Sequence, residues 1–152
     1  MRRCNAKFWS EGKNFMDNDK RVLVQSWLFK AQHDLRSAER LAEGEDPLLD
    51  TAVYHCQQAA EKALKGFLVY HDCRFQKTHD LALLLVEANR FTQDFVPLDS
   101  AAGPLTRDGI VFRYPEAQME PTKAEFDQAY QDAAQFLSIA LTLIPAEAHP
   151  AA

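Results

Sequence analysis

Residues 49–70 read LDTAVYHCQQAAEKALKGFLVY. Leu49, Val53, Cys56, Ala60, Ala63, Phe67 and Tyr70 recur at intervals of four and three, which places them on one face of a helix. Asp46 can cap this helix, and Pro47 suits its first position. Upstream, Val24, Leu28, Ala31, Leu35 and Ala38 keep the same spacing, with Trp27 and Leu41 widening the stripe. Glu43-Gly44 ends that helix, since glycine accepts the left-handed conformation that closes one. The link between the two stripes is short, so the two helices are expected to be antiparallel neighbours.

Downstream the helical pattern continues. Thr78 is placed to cap a third helix with Leu81, Leu84, Leu85 and Ala88 facing inward. Residues 91–121 are punctuated by Pro97, Gly103, Pro104, Gly109, Pro115 and Pro121. A short helix over Leu98–Leu105 fits there, with Pro104 expected to spoil its last turn and a long loop to follow. Thr122-Lys123-Ala124-Glu125 reads as a capping box opening a last helix, with Phe126, Tyr130, Ala133, Leu137, Ala140 and Ile144 on one face and Pro145 as its stop. β-branched residues are sparse and no alternation competes. The fold class expected is all-α, an up-and-down bundle of four to five helices over residues 16–146. Residues 1–15, which show no hydrophobic period, form an extension outside it, and residues 147–152 a tail.

A chain of 152 residues, 47% hydrophobic and 26% charged, suits one soluble domain and excludes a disordered one. The longest apolar run, Leu81–Val86, is far too short to span a membrane, and the basic start lacks the apolar core of a secretory signal. The net charge of −5 argues against coating nucleic acid through bulk charge. It is unevenly spread: residues 1–40 carry nine Lys/Arg against five Asp/Glu, and the rest eight against seventeen. Cys4, Cys56 and Cys73 are an odd set without CxxC spacing, so no disulfide framework is expected and a reduced, cytoplasmic setting is the simplest reading.

Three groups of residues could carry chemistry. His55, Gln58, Lys62 and Lys65 fall on a second stripe of the 49–70 helix, where a His, an amide and two lysines could hold a phosphate or a base. The same stripe could equally be a solvated flank with Glu61–Lys65 as an ion pair. Arg113-Tyr114-Pro115 puts a guanidinium and a ring on a stiffened backbone, suited to phosphate binding and base stacking. Alternatively Tyr114 and Phe112 pack the loop while Arg113 pairs with an acid. Arg74 and His79 could serve RNA cleavage, although Thr78-His79-Asp80 also reads as an ordinary helix start. No cluster has metal-site spacing, and no glycine-rich phosphate loop or serine elbow is present.

The phrases Trp27-Leu28-x-Lys30-Ala31-x-x-Asp34-Leu35, His55-Cys56-Gln57-Gln58-Ala59-Ala60-Glu61-Lys62-Ala63-Leu64-Lys65, Lys77-Thr78-His79-Asp80-Leu81 and Arg113-Tyr114-Pro115 stand in this order along the chain. Together they resemble the HEPN domain, named for nucleotide binding in prokaryotes and higher eukaryotes. The resemblance implies a helical bundle, usually dimeric. It implies a role as partner or substrate-binding subunit of a minimal nucleotidyltransferase encoded nearby, in some cases within a toxin–antitoxin pair. Other branches are metal-independent ribonucleases marked by an Arg, four to six residues and a His near the last long helix. Arg113 occupies about that place with no His following it in the window, whereas Arg74 and His79 fit the formula but lie between the second and third helices. The expectation is therefore a binding protein for nucleotide or RNA phosphate through His55, Gln58, Lys62, Lys65, Arg113 and Tyr114, with no cofactor and no metal. The alternatives are a metal-independent ribonuclease working through Arg74 and His79, and a structural dimerisation module. A homodimer is also expected because Phe91, Phe95, Val96, Ile110, Val111 and Phe112 form an apolar surplus around the short helix.

Overall fold

The structure, a computed structural model, describes residues 16–117 and 119–152. It contains α1 (Asn18–Leu41), α2 (Leu49–Tyr70), α3 (Leu81–Ala88), α4 (Asp99–Val111) and α5 (Lys123–Leu143), with three short 3₁₀ turns and no strand among the described residues. The expected extension 1–15, and Cys4 within it, lie outside the described residues. Among the described residues no helix is long and apolar enough to cross a membrane.

α2 is the centre of the bundle and packs against α1, α3, α4 and α5. Its burial therefore extends well beyond one stripe: Ala52, Ala59, Leu64, Gly66 and Leu68 are covered as well as Val53, Cys56, Ala60, Ala63 and Phe67. Small residues allow this, because a helix surrounded by others can be approached closely only where side chains are short. α1 runs antiparallel to α2. Asp34 faces His55, while Trp27 and Leu28 lie against Gly66 further along the pair. The stripe Val24, Leu28, Ala31 and Ala38 is buried as its spacing requires. Asp17 caps α1 by accepting the Lys20 amide at 2.7 Å.

Several boundaries differ from the sequence reading. α2 begins at Leu49 rather than at Pro47, because the Leu48 amide donates to the Leu41 carbonyl at 2.8 Å and ties residues 46–48 into the connection. α3 is capped by Asp80, which accepts the Ala82 amide at 2.9 Å. Thr78 instead accepts the Asp80 amide at 3.0 Å and shapes the approach. α4 runs through Pro104 to Val111, so Arg107, Asp108 and Ile110 are helical rather than in a loop. The bond Pro104 cannot donate would go to the carbonyl of Ser100, an exposed residue beside water.

The apolar surplus around α4 divides. Phe95 is fully buried, 5.2 Å from the Phe67 ring and 6.3 Å from Phe136. Phe91 stacks on His71 at 4.5 Å, and Phe112 packs partly buried against the core. Val96, Ile110 and Val111 remain exposed. α5 opens with the expected Thr122/Glu125 capping box. The chain after Pro145 is held to the bundle rather than trailing from it. Ala148 is fully buried, and the Gln25 amide donates to the His149 carbonyl at 3.0 Å. His149 is half-buried and donates from Nε2 to the Ile144 carbonyl at 2.7 Å, satisfying the end of α5.

Gly109 sets the approach of α4 to α2. A Cβ there would stand 2.6 Å from the Gln57 Cβ and 2.9 Å from its Cγ, atoms close to the backbone of α2 that cannot swing aside. Gly109→Ala is therefore expected to lower unfolding free energy by about 1–3 kcal/mol through overpacking. The gain of ~1 kcal/mol in helix propensity does not offset that. Denaturant titration reads this directly, and an unchanged or raised midpoint would show that the two helices can separate freely.

Candidate functional site

Two buried carboxylates organise the polar side of α2. The first is Asp34, from the flank of the α1 stripe. Its Oδ1 lies 2.8 Å from His55 Nδ1, and its Oδ2 accepts from the Lys62 ammonium. His55 and Lys62 are seven residues apart, two turns of α2, so one carboxylate on the neighbouring helix can reach both. Both keep part of their surface open to solvent.

The second carboxylate is Glu61, only 3% exposed. It accepts from Lys65 Nζ at 2.7 Å, from the Gln57 amide at 3.0 Å and from the Gln58 amide at 3.3 Å. His79 Nδ1 approaches it at 3.1 Å from the connection before α3. Gln57 also donates to the His79 carbonyl at 2.9 Å and receives the Gln58 amide at 2.8 Å. Burial alone would push the Glu61 carboxyl up, but the hydrogen bonds from Lys65, Gln57 and His79 outweigh it and hold the group below the usual carboxylate range. Lys65 is itself buried, its ammonium 5.7 Å from the centres of the Trp27 and Phe75 rings. The ring of His79, by contrast, is 76% exposed although one nitrogen is held by Glu61.

Arg113 follows the end of α4, its amide donating to the Ile110 carbonyl at 3.2 Å. Its guanidinium lies 4.5 Å over the Tyr54 ring and 5.6 Å from that of Tyr114. The Tyr54 ring is in turn 5.5 Å from the His55 ring. Arg113, Tyr54, His55, Asp34 and Lys62 thus form one chain of contacts across α4, α2 and α1. Among the described residues the Arg113 guanidinium has no acceptor.

Of the residues singled out in the sequence, His55, Lys62, Arg113 and Tyr114 gather on this surface. Gln58 and Lys65 belong to the Glu61 network, and Lys65 is turned inward rather than presented along an open stripe. The Glu61–Lys65 ion pair is the one the spacing allows. Arg74 is exposed in the connection between α2 and α3. Asp34, Gln57 and Tyr54 were not among the expected site residues. A carboxylate on the edge of the α1 apolar stripe was a readable signal for Asp34; Tyr54 gave none. Cys56 is a free thiol whose burial pushes its pKa up to about 12, so it is no nucleophile. Among the described residues no group of three or more His, Cys, Asp or Glu is placed to hold a metal ion.

The family model of the HEPN domain matches residues 24–143. Among solved structures, TT1696 from Thermus thermophilus is similar, with a TM-score of 0.67 and 28% identity over 81% of this chain and 99% of that one. A comparison with curated proteins found no match.

The Glu61 network has a consequence in acid. A carboxyl held low in the folded state contributes stability that is present above its unfolded value of 4.5 and is lost as pH falls through the folded value. His71, which desolvation first and Lys20 second lower from 6.5 to about 4, acts higher: its contribution falls between those two values as the unfolded chain takes up the proton. Thermal midpoints are thus expected to decline from pH 6.5 and to fall further below pH 4.5. Glu61→Gln should lose ~3–5 kcal/mol at neutral pH by stranding Lys65, and the gap to wild type should narrow below pH 4.5. A constant gap across the range would show that Glu61 is not ionised in the fold.

Proposed function

The chain belongs to the HEPN domain family, whose role is nucleotide- or RNA-related, and from that membership and the geometry of α2 we propose that it binds a nucleotide or RNA phosphate on the surface shared by Arg113, Lys62 and His55. One observation carries the reading. Asp34 balances Lys62 and Glu61 balances Lys65, so the charge left over for a ligand is that of Arg113. Its planar fork suits two phosphate oxygens, and Tyr54 beneath it keeps it from folding back. Lys62 retains two donors beyond the one given to Asp34, and exposed Tyr114 offers a face to a base.

The family resemblance supports a minimal nucleotidyltransferase as the protein partner, with this chain presenting the ligand to it. Co-purification with such an enzyme encoded beside it tests that part, and a gene without such a neighbour contradicts it. A second reading, a metal-independent ribonuclease, is favoured by one feature alone. Glu61 holds His79 by Nδ1 while most of the ring faces water, the arrangement that orients a general base. Metal-free cleavage of single-stranded RNA, lost in His79→Ala, would establish it.

For the phosphate site, calorimetric titration of a mononucleotide into wild type and Arg113→Ala is the direct test. Loss of a charge-assisted contact worth ~1.5–3 kcal/mol corresponds to a drop in affinity of about tenfold to a hundredfold. Arg113→Lys should recover only part of it, because an ammonium cannot make the paired contacts or stack on Tyr54 in the same way. Equal affinity in wild type and Arg113→Ala would remove Arg113 from the site.

A further inference from the structure

The outer face of α1 carries a second group of cations that the α2 networks do not use. Lys30, His33, Arg36 and Arg40 are exposed along it at intervals of three and four residues, on the side turned away from α2. His33, Arg36, Ser37 and Arg40 line a recess of about 140 Å³ with no carboxylate in its wall. Several cations elsewhere on the bundle sit on carboxylates: Lys20 on Asp72, Arg90 on Glu87, Arg107 on Asp108 and Lys123 on Asp127. Among the described residues Lys30, His33, Arg36 and Arg40 have no such partner. Like charges four apart weaken a helix, so Arg36 and Arg40 do not stabilise α1 by their pairing. The helix dipole accounts for Arg40 in the last turn but not for Arg36 or His33 further up.

An aromatic platform stands at the head of this row. Phe29 is 42% exposed, and its ring centre is 4.0 Å from that of His33, one turn along. From Phe29 to Arg40 the row runs about 16 Å at 1.5 Å per residue. A recess walled by Arg36 and Arg40 with no carboxylate, beside an exposed ring, fits a chain of phosphates with at least one unpaired base. An acidic peptide would use the cations and leave the ring idle, and a duplex would offer no base face to stack.

We propose that the outer face of α1, from Phe29 to Arg40, binds the backbone of a single-stranded nucleic acid, with His33, Arg36 and Arg40 on its phosphates and Phe29 against a base. The surface lies apart from Arg113, and the inference stands whether or not Arg113 binds a mononucleotide.

The test is fluorescence anisotropy of the full chain with a labelled oligouridylate of about twelve nucleotides, across a range of salt, beside titration of a mononucleotide. The double variant R36A/R40A should bind the oligonucleotide about tenfold or more weakly, and its slope of log K against log salt should shrink by about 1.4, or ~0.7 for each lost phosphate contact. R36K/R40K should keep the slope. Phe29→Ala should weaken binding about fivefold or more with the slope unchanged. Circular dichroism of each variant should match wild type, since every substituted side chain is exposed. Mononucleotide affinity should be untouched by R36A/R40A. Oligonucleotide affinity that is equal in wild type and R36A/R40A overturns the proposal, as does a wild type that binds no oligouridylate. Binding of an oligoglutamate peptide instead, lost in R36A/R40A, would assign the face to an acidic protein segment. If Arg113→Ala leaves mononucleotide binding intact while R36A/R40A weakens the oligonucleotide, the Arg113 site fails and the α1 face stands.

Discussion

A carboxylate buried in the middle of the central helix must be neutralised where it lies, and Glu61 imposes that requirement on everything around it. An unpaired buried carboxylate would cost on the order of several kcal/mol in lost hydration, so donors have to converge on it. Lys65, Gln57 and Gln58 come from the same helix, one turn away on either side. The fourth donor, His79, comes from the connection to α3, and Gln57 fastens that connection a second time through the His79 carbonyl. The start of α3 is thereby fixed against α2, and the Thr106 hydroxyl, accepting the Leu81 amide at 3.1 Å, carries the constraint to α4. Gly109 completes the arrangement by letting α4 close over Gln57.

Asp34 does for the α1 side what Glu61 does for the α3 and α4 side. Together they decide which cations are left to meet a ligand. Lys65 is consumed inside the bundle, and Lys62 is half consumed. Cations without a carboxylate partner stand further out, Arg113 on its tyrosine platform and the row on the far face of α1, the two surfaces proposed to meet phosphate. A bundle with an acidic net charge can still present positive surface in this way, because internal ion pairs leave the remaining cations concentrated rather than spread.

The long helices were legible in the sequence because their apolar stripes persist for many turns and because the Thr122–Glu125 box marks the start of the last one. The short elements were less so. Thr78 and Asp80 are both good caps, and only the geometry of the approach chooses between them. Pro104 reads as a breaker, yet its missing bond falls where water can replace it. Phe95 looked like interface and is core, since its burial depends on Phe67 and Phe136, far from it in sequence. For the site, the shared face of His55, Gln58, Lys62 and Lys65 was visible from spacing, but the direction each side chain takes was not. Asp34 stands 21 residues before His55 and on another helix, and the Arg113–Tyr54 stack joins the turn after α4 to α2 without any local pattern.

The orientation of His79 reports most directly on whether Glu61 organises this bundle. If the carboxylate accepts from Nδ1, the neutral imidazole must carry its proton there and leave Nε2 bare toward solvent. Nitrogen-15 NMR of the neutral ring distinguishes the two forms. The Nδ1–H tautomer is the expected result in wild type, with loss of that preference in Glu61→Leu. An Nε2–H tautomer in the wild type would mean that Glu61 does not hold His79, and that the link from α2 to α3 rests on other contacts.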